Sequence, residues 1–229
     1  MAGNGSGLTE RGVRVAVIDS GVHAAHPHIS RVAGGVTIGE RADENSYVDL
    51  LGHGTAVMAA IQEAAPEAEY FAVRVFQSEL RASMDTLVRA FEWCIDHRID
   101  VINLSLGSAN LAHAQRFAPL ISRAGIVVSA REVNGCPCVP GTLPGVIGVS
   151  VDWDLPRGSY TYRKGTEFSA SGYPRPIPGV PEERNLRGIS FAVANMTGFV
   201  VRACERLDAR SYDAVCSELT AGLARSKGV

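Results

Sequence analysis

The sequence predicts an α/β domain of three layers, with a mainly parallel central sheet flanked by helices. Two observations carry that expectation. Short apolar runs rich in β-branched residues recur along the chain, and the stretches between them repeat their apolar residues at helical spacing. At 229 residues the chain is long enough to bury one sizeable core, so a single domain over 13–229 is expected behind a glycine-rich, flexible segment at 1–12.

Strands are predicted at 13–19, 70–76, 101–106, 126–130 and 146–151, each a mainly apolar segment rich in β-branched residues. Between the second and third, a helix should begin near Ser83, since Leu87, Phe91, Cys94 and Ile95 fall at i, i+4, i+7 and i+8 on one face. A further helix is expected over 112–123. The stretch 154–187 is rich in Pro, Gly, Arg and Tyr and lacks a clean period, so loops and short strands are expected there. Beyond Ser190 the pattern is helical to about Arg206, and 212–224 is amphipathic.

A net charge of −2 leaves no basic footprint for nucleic acid, and no run approaches the roughly 18 apolar residues that a membrane span needs. Neither partner is expected. Met1 to Gly7 has neither the apolar core nor the basic flank of a secretory signal, which predicts a cytoplasmic protein. Five cysteines, an odd number, do not form a secreted disulfide framework. Cys94, Cys204 and Cys216 read as apolar helix residues. Cys136 and Cys138 form a CxC pair with three readings, namely reduced loop thiols, a local disulfide or a metal site, although no second Cys/His pair at finger spacing supports zinc.

Three short segments occur in the order aspartate, histidine, serine: Asp19-Ser20-Gly21 ends the first strand, His53-Gly54-Thr55 opens an apolar run, and Gly188-Ile189-Ser190-Phe191-Ala192 opens another. His26-Pro27 follows the first. Val101-Ile102-Asn103-Leu104-Ser105-Leu106-Gly107 and the strand leading to Asn134 complete the series. Each residue alone has a sufficient structural role, as a strand-end Asp or a helix-capping Ser. Together, in this order, the five segments resemble the subtilisin family of serine peptidases.

The resemblance implies a subtilisin-like fold and an Asp19, His53, Ser190 triad, with Asn134 as an oxyanion-hole donor. A serine hydroxyl is a weak nucleophile at neutral pH and needs a base within hydrogen-bond reach and a group that orients that base. His53 would take the Ser190 proton and Asp19 would fix the imidazole tautomer. A serine at a helix start also meets unpaired N–H groups that favour developing negative charge. Position gives independent support, since ligands of open α/β sheets bind beyond the carboxyl ends of strands, where Asp19, Ser105 and Asn134 fall. Ser105-Leu106-Gly107 resembles the segment that pairs with an extended peptide, which implies a peptide or unfolded-protein substrate.

Several positions depart from the family pattern. Ala130-Arg131-Glu132-Val133 stands where a small-residue run ending in Gly lines the primary specificity pocket, so Val133 should narrow it, and Arg131 or Glu132 would charge its wall unless both turn to solvent. Ile189 replaces a Thr that assists the oxyanion hole, Ala56 replaces a His and Ala194 a Pro. The stretch from His53 to Pro66 is shorter than in secreted members and lacks their calcium loop. Asp43, Glu44 and Asp49 cannot supply six to eight oxygens and read as solvated, so no metal and no cofactor are expected. Secreted members carry a folding prodomain, so either one has been removed or this is an intracellular member that folds without it. The expected activity is that of a serine endopeptidase with a specific processing role, such as leader cleavage. Two alternatives stay open: a ligase or macrocyclase using the same acyl-enzyme, and an impaired peptide-binding relative. A partner protein that supplies missing elements is also consistent with the short chain.

Overall fold

The computed structural model describes residues 12–39, 42–43, 46–165, 167–207 and 210–226. The N-terminal segment read as flexible lies outside them except for Gly12, as does Glu44. In chain order the elements are β1 (Arg14–Asp19), β2 (Gly34–Ile38), β3 (Ala42–Asp43), α1 (His53–Ala64), β4 (Glu69–Arg74), α2 (Met84–Asp96), β5 (Val101–Leu104), α3 (Ala114–Ile121), β6 (Ile126–Ala130), β7 (Glu132–Val133), β8 (Cys136–Pro137), β9 (Val146–Val151), β10 (Tyr160–Lys164), β11 (Glu167–Ala170), α4 (Ile189–Arg206) and α5 (Tyr212–Ser226).

Nine strands form the main sheet in the order β10-β11-β9-β6-β5-β1-β4-β2-β3. Pairing is parallel from β11 to β2, and one antiparallel strand lies at each edge, β10 on β11 and β3 on β2. The central strands are buried on both sides, which is why they read as continuous apolar runs. Alternation still sorts their side chains: Val15 and Val17 of β1 join the core under α1, α4 and α5, whereas Ala16 and Ile18 join the core under α2 and α3. That is the expected three-layer arrangement. Among the described residues no helix is long and apolar enough to cross a membrane.

The expected strands at 126–130 and 146–151 appear with those bounds, and those at 13–19, 70–76 and 101–106 appear slightly shifted or shortened. β5 stops at Leu104 because the chain then leaves the sheet so that Ser108 can pair with Val139, the two exchanging both backbone hydrogen bonds at 2.8 and 3.0 Å. Ser83 caps α2 as expected, its side chain accepting from Thr86 N at 3.1 Å. The helix expected over 112–123 is a 3-10 turn at Leu111–His113 followed by α3. Helix α1 and strand β2 have no counterpart in the sequence reading, nor do the two-residue strands β3, β7 and β8. Helix α1 is buried on nearly every side, so its His-Gly-Thr-Ala-Val-Met-Ala-Ala-Ile run has no polar stripe to reveal a period.

Helices α1 and α4 cross at Gly198, where an added Cβ would stand 2.6 Å from the Ala64 Cβ. Only a bare backbone fits that approach. Gly198→Ala should therefore destabilise the fold by about 1–3 kcal/mol despite the better helix propensity of alanine, read as a lower urea midpoint with unchanged slope; a midpoint equal to or above wild type would contradict it.

Candidate active site

Asp19 is the last residue of β1, and its buried carboxylate meets α1 at that helix's first residue. Its Oδ1 lies 2.7 Å from His53 Nδ1 and accepts from Ser20 N, also at 2.7 Å. With a carboxylate at Nδ1, the imidazole proton sits on that nitrogen and Nε2 is left basic. Burial opposes protonation of His53, but the hydrogen bond and charge of Asp19, helped by the charge of Asp49, outweigh it and raise the histidine above 6.5. The second Asp19 oxygen is buried without a partner.

The turn between β1 and α1 tolerates little change. Gly21 has φ +99° and faces the Tyr47 carbonyl, and an added Cβ on Gly54 would meet the Gly21 carbonyl at 2.3 Å. Gly54 N instead donates to Ser20 Oγ at 2.8 Å. Asp-Ser-Gly and His-Gly-Thr are thus two halves of one joint, with glycines where the backbones touch.

Asp49 corrects the sequence reading. It is not a solvated acid but is buried, and it caps α1 from three residues ahead of Gly52, whose φ of +79° leaves the helix start without a side-chain cap of its own. Its Oδ1 accepts from Leu51 N and Gly52 N, both at 2.9 Å. Its Oδ2 accepts from Thr55 N at 2.9 Å and Thr55 Oγ1 at 2.6 Å. Those donors take up the carboxylate's lone pairs. Among the described residues no group of three or more His, Cys, Asp or Glu forms a cation site.

Ser190 is the second residue of α4, after Gly188 at φ +147°. It lies in the first turn, whose N–H groups have few intrahelical acceptors. The His53 ring packs beside Phe191, its neighbour, with centroids 5.7 Å apart. Ser190 Oγ donates to the Ser105 carbonyl at 3.1 Å, and no hydrogen bond joins it to His53. The helix is held in place by buried polar contacts to β5. Asn103 Nδ2 donates to Thr197 Oγ1 at 2.9 Å, and the Ser105 hydroxyl lies 2.8 Å from Asn103 Oδ1 and 3.3 Å from the Ser190 carbonyl. On the far side of α4, Asn195 Nδ2 donates to the carbonyls of Ser171 and Tyr173. The sequence reading missed Asn103, Thr197 and Asn195; the available signal was an amide or hydroxyl inside an otherwise apolar run.

Asn134 occupies the tip of the β7–β8 hairpin and is exposed, with φ +51° followed by Gly135 at +77°. This is the Asn-Gly pair that two-residue hairpins favour. Of its neighbours, Arg131 pairs with Glu167 at 2.7 Å, so its charge is compensated, Glu132 is exposed, and Val133 packs against the core. Leu106 is half-buried and its carbonyl accepts from Ser129 Oγ at 3.1 Å; at Gly107 an added Cβ would meet the Cys138 Cβ at 2.7 Å. All five cysteines are free thiols, with Cys94 and Cys204 buried, Cys216 half-buried, Cys138 buried behind Gly107 and Cys136 exposed. Cys138 Sγ donates to the Cys136 carbonyl at 3.4 Å, which favours the reduced reading of the CxC pair.

An acid-oriented histidine and a helix-start serine are two of the parts that a serine-hydrolase site needs. Residues 10–147 match the Subtilase family, and the chain belongs to it. Similar relatives include the thermostable alkaline protease of Halalkalibacterium halodurans, 34% identical over 72% of this chain and 49% of its own length. Subtilisin E of Bacillus subtilis is 31% identical over 83% of this chain and 53% of its own, and Subtilisin BL of Lederbergia lenta 32% over 86% and 74%. The chain therefore spans about half the length of the first two. A solved cold-adapted subtilisin-like serine proteinase superposes with a TM-score of 0.69 at 19% identity, covering 90% of this chain and 80% of that one, which shows the shared fold.

The Asp49 cap gives a stability test. Burial raises its carboxyl pKa, but donation from Thr55, Leu51 and Ser20 outweighs this and holds it below 3.8. A depressed folded pKa stabilises above the unfolded value and loses that contribution as pH falls through the folded one. Asp49→Asn should thus be less stable than wild type at neutral pH, by about 1 kcal/mol or more, with the difference shrinking below about pH 4. Urea titrations at pH 7 and pH 3 measure both, and a pH-independent gap would refute the cap.

Proposed function

We propose that the chain is a serine endopeptidase that cleaves peptide bonds through Asp19, His53 and Ser190. The observation that carries this reading is the 2.7 Å bond from Asp19 to His53, beside a helix whose first turn bears Ser190. The relatives named as proteases and subtilisins support it.

In this reading Ser190 Oγ turns from the Ser105 carbonyl towards His53 as substrate enters, a rotation about one side-chain bond. Its oxygen attacks the scissile carbonyl while its proton passes to His53 Nε2, and Asp19 stabilises the imidazolium. The Ser190 N–H and the Asn134 amide donate to the oxyanion. The imidazolium then protonates the leaving amine, and water hydrolyses the ester by the reverse proton path. Ser105, Leu106 and Gly107 offer main-chain groups to an extended peptide, and Arg131, Glu132 and Val133 border the pocket for the residue before the cut. Val133, in place of the glycine expected from the family resemblance, favours a specific processing role in the cytoplasm, such as leader removal, over bulk degradation. A binding-only role is the second reading, favoured by the Ser190 to Ser105 bond and by the exposure of Asn134.

Fluorophosphonate treatment should label Ser190 stoichiometrically and leave Ser190→Ala unlabelled, with the site located by peptide mass spectrometry. Absence of label in folded wild-type protein would favour the binding-only role. The labelling rate should also rise with pH through an apparent pKa above 6.5, because the base must be neutral and Asp19 holds it protonated to higher pH. Asp19→Asn should move that pKa down while slowing the reaction; an unmoved midpoint would separate Asp19 from the base.

A further inference from the structure

A cavity of about 470 Å³ opens where the segment after β1, the start of α1 and the 174–186 loop meet, lined by Gly52 and Thr55 on either side of His53 in the chain. His23, His26 and His28 line it from the first segment, and Arg175 and Arg184 from the loop. Ala56 and Ala59, one turn apart on α1, leave the space, and Ala56 stands where the family resemblance placed a larger histidine. Its apolar rim includes Ile177 and Leu186, 42% and 48% exposed.

The lining is cationic in a chain whose net charge is −2. Its acid, Asp49, already holds the backbone of Leu51, Gly52 and Thr55. Glu63 does not line the cavity and is shared by two guanidiniums, Arg157 at 2.6 Å and Arg175 at 3.5 Å, so it does not cancel both. Arg184 makes no ion pair among the described residues, and Glu182 and Glu183 on the same turn are exposed and outside the lining. Arg175 is fixed before any ligand arrives, its guanidinium donating to the His28 carbonyl and its own carbonyl accepting from Asn185 Nδ2, both at 3.2 Å. Burial, then the charges of Arg175 and His26, hold the His28 ring below the usual histidine range against the opposing charge of Glu63, so the positive charge of the lining comes chiefly from the arginines.

Sheet order bears on which part of a substrate reaches this cavity. β5 and β1 are neighbours, so Ser105–Gly107, which follows β5 and holds Ser190 Oγ, and the cavity, which takes in the segment after β1, lie at adjacent strand ends. A peptide paired with Ser105–Gly107 on its acyl side continues past Ser190 towards the histidines and arginines. We infer that this cavity binds an acidic and apolar segment of the substrate on the leaving side of the cleaved bond. Selectivity for acidic residues downstream of the cut follows. The inference rests on the peptidase reading for its direction along the substrate, whereas the charge preference of the cavity stands without it.

The test uses the full chain carrying Ser190→Ala and three fluorescein-labelled peptides that alternate Leu with Glu, Gln or Lys, followed by anisotropy. The Glu peptide should bind about tenfold tighter than the Gln peptide, weakening with added salt, and Arg184→Glu in the same chain should abolish that preference and strengthen the Lys peptide. A gain for the Lys peptide cannot come from misfolding. Equal binding of all three peptides, or a Glu preference untouched by Arg184→Glu, overturns the inference. In digests of a mixed peptide library by the wild-type chain, acidic residues should be enriched after the cut; enrichment before it overturns the assigned direction. Fluorophosphonate labelling of the wild type separates the two readings. Label without Glu selectivity leaves the peptidase and removes the acidic site, whereas Glu selectivity without label leaves the site and removes the peptidase.

Discussion

The structure depends on α4 being both a core element and the carrier of Ser190. Twelve of its residues are buried, from Phe191 to Cys204, so it cannot slide or turn without disturbing the apolar layer it shares with α1. Apolar packing alone does not set rotation about a helix axis to hydrogen-bond accuracy. The contact from Asn103 to Thr197, and that of Ser105 with Ser190, do so by joining β5 and the residue just past it to two points on one face of α4. A buried amide that finds its partners in only one arrangement penalises every other. Ser190 is thus positioned from beneath by the sheet rather than by the loops around it.

The histidine is positioned in a different way. His53 begins a helix that starts on a left-handed glycine and lacks its own cap, and Asp49 supplies the missing acceptors from a preceding loop. One carboxylate therefore fixes the helix end and another, Asp19, fixes the ring that the helix presents. Both charges also stabilise the imidazolium, so the fold and the proton affinity of His53 share a cause.

Much of this was legible in the sequence. Mainly apolar runs such as Ile126–Ala130 gave strand positions because a parallel strand covered on both faces does not alternate apolar with polar, and the order of the three short segments paired Asp19 with His53, which lie 2.7 Å apart. What escaped was whatever depends on distant partners. Helix α1 has no polar face because α4 and the sheet cover it, and Asp49 resembled any loop acid because the donors it serves exist only once α1 has formed. The Asn-Gly pair at 134–135 was visible, but its two meanings, hairpin tip and oxyanion donor, are separable only by where the side chain sits in a complex. The cavity beside Ala56 arises from three segments that no local pattern connects.

The separations along the chain give the site an order of assembly. Asp19 and His53 are 34 residues apart, whereas the contact from Ser105 to Ser190 spans 85 residues and that from Asn103 to Thr197 spans 94. Long closures form late and slowly compared with short ones. The contacts that place Ser190 therefore close after the one that orients His53. Under the peptidase reading, a partly folded chain orients its base before it fixes its nucleophile.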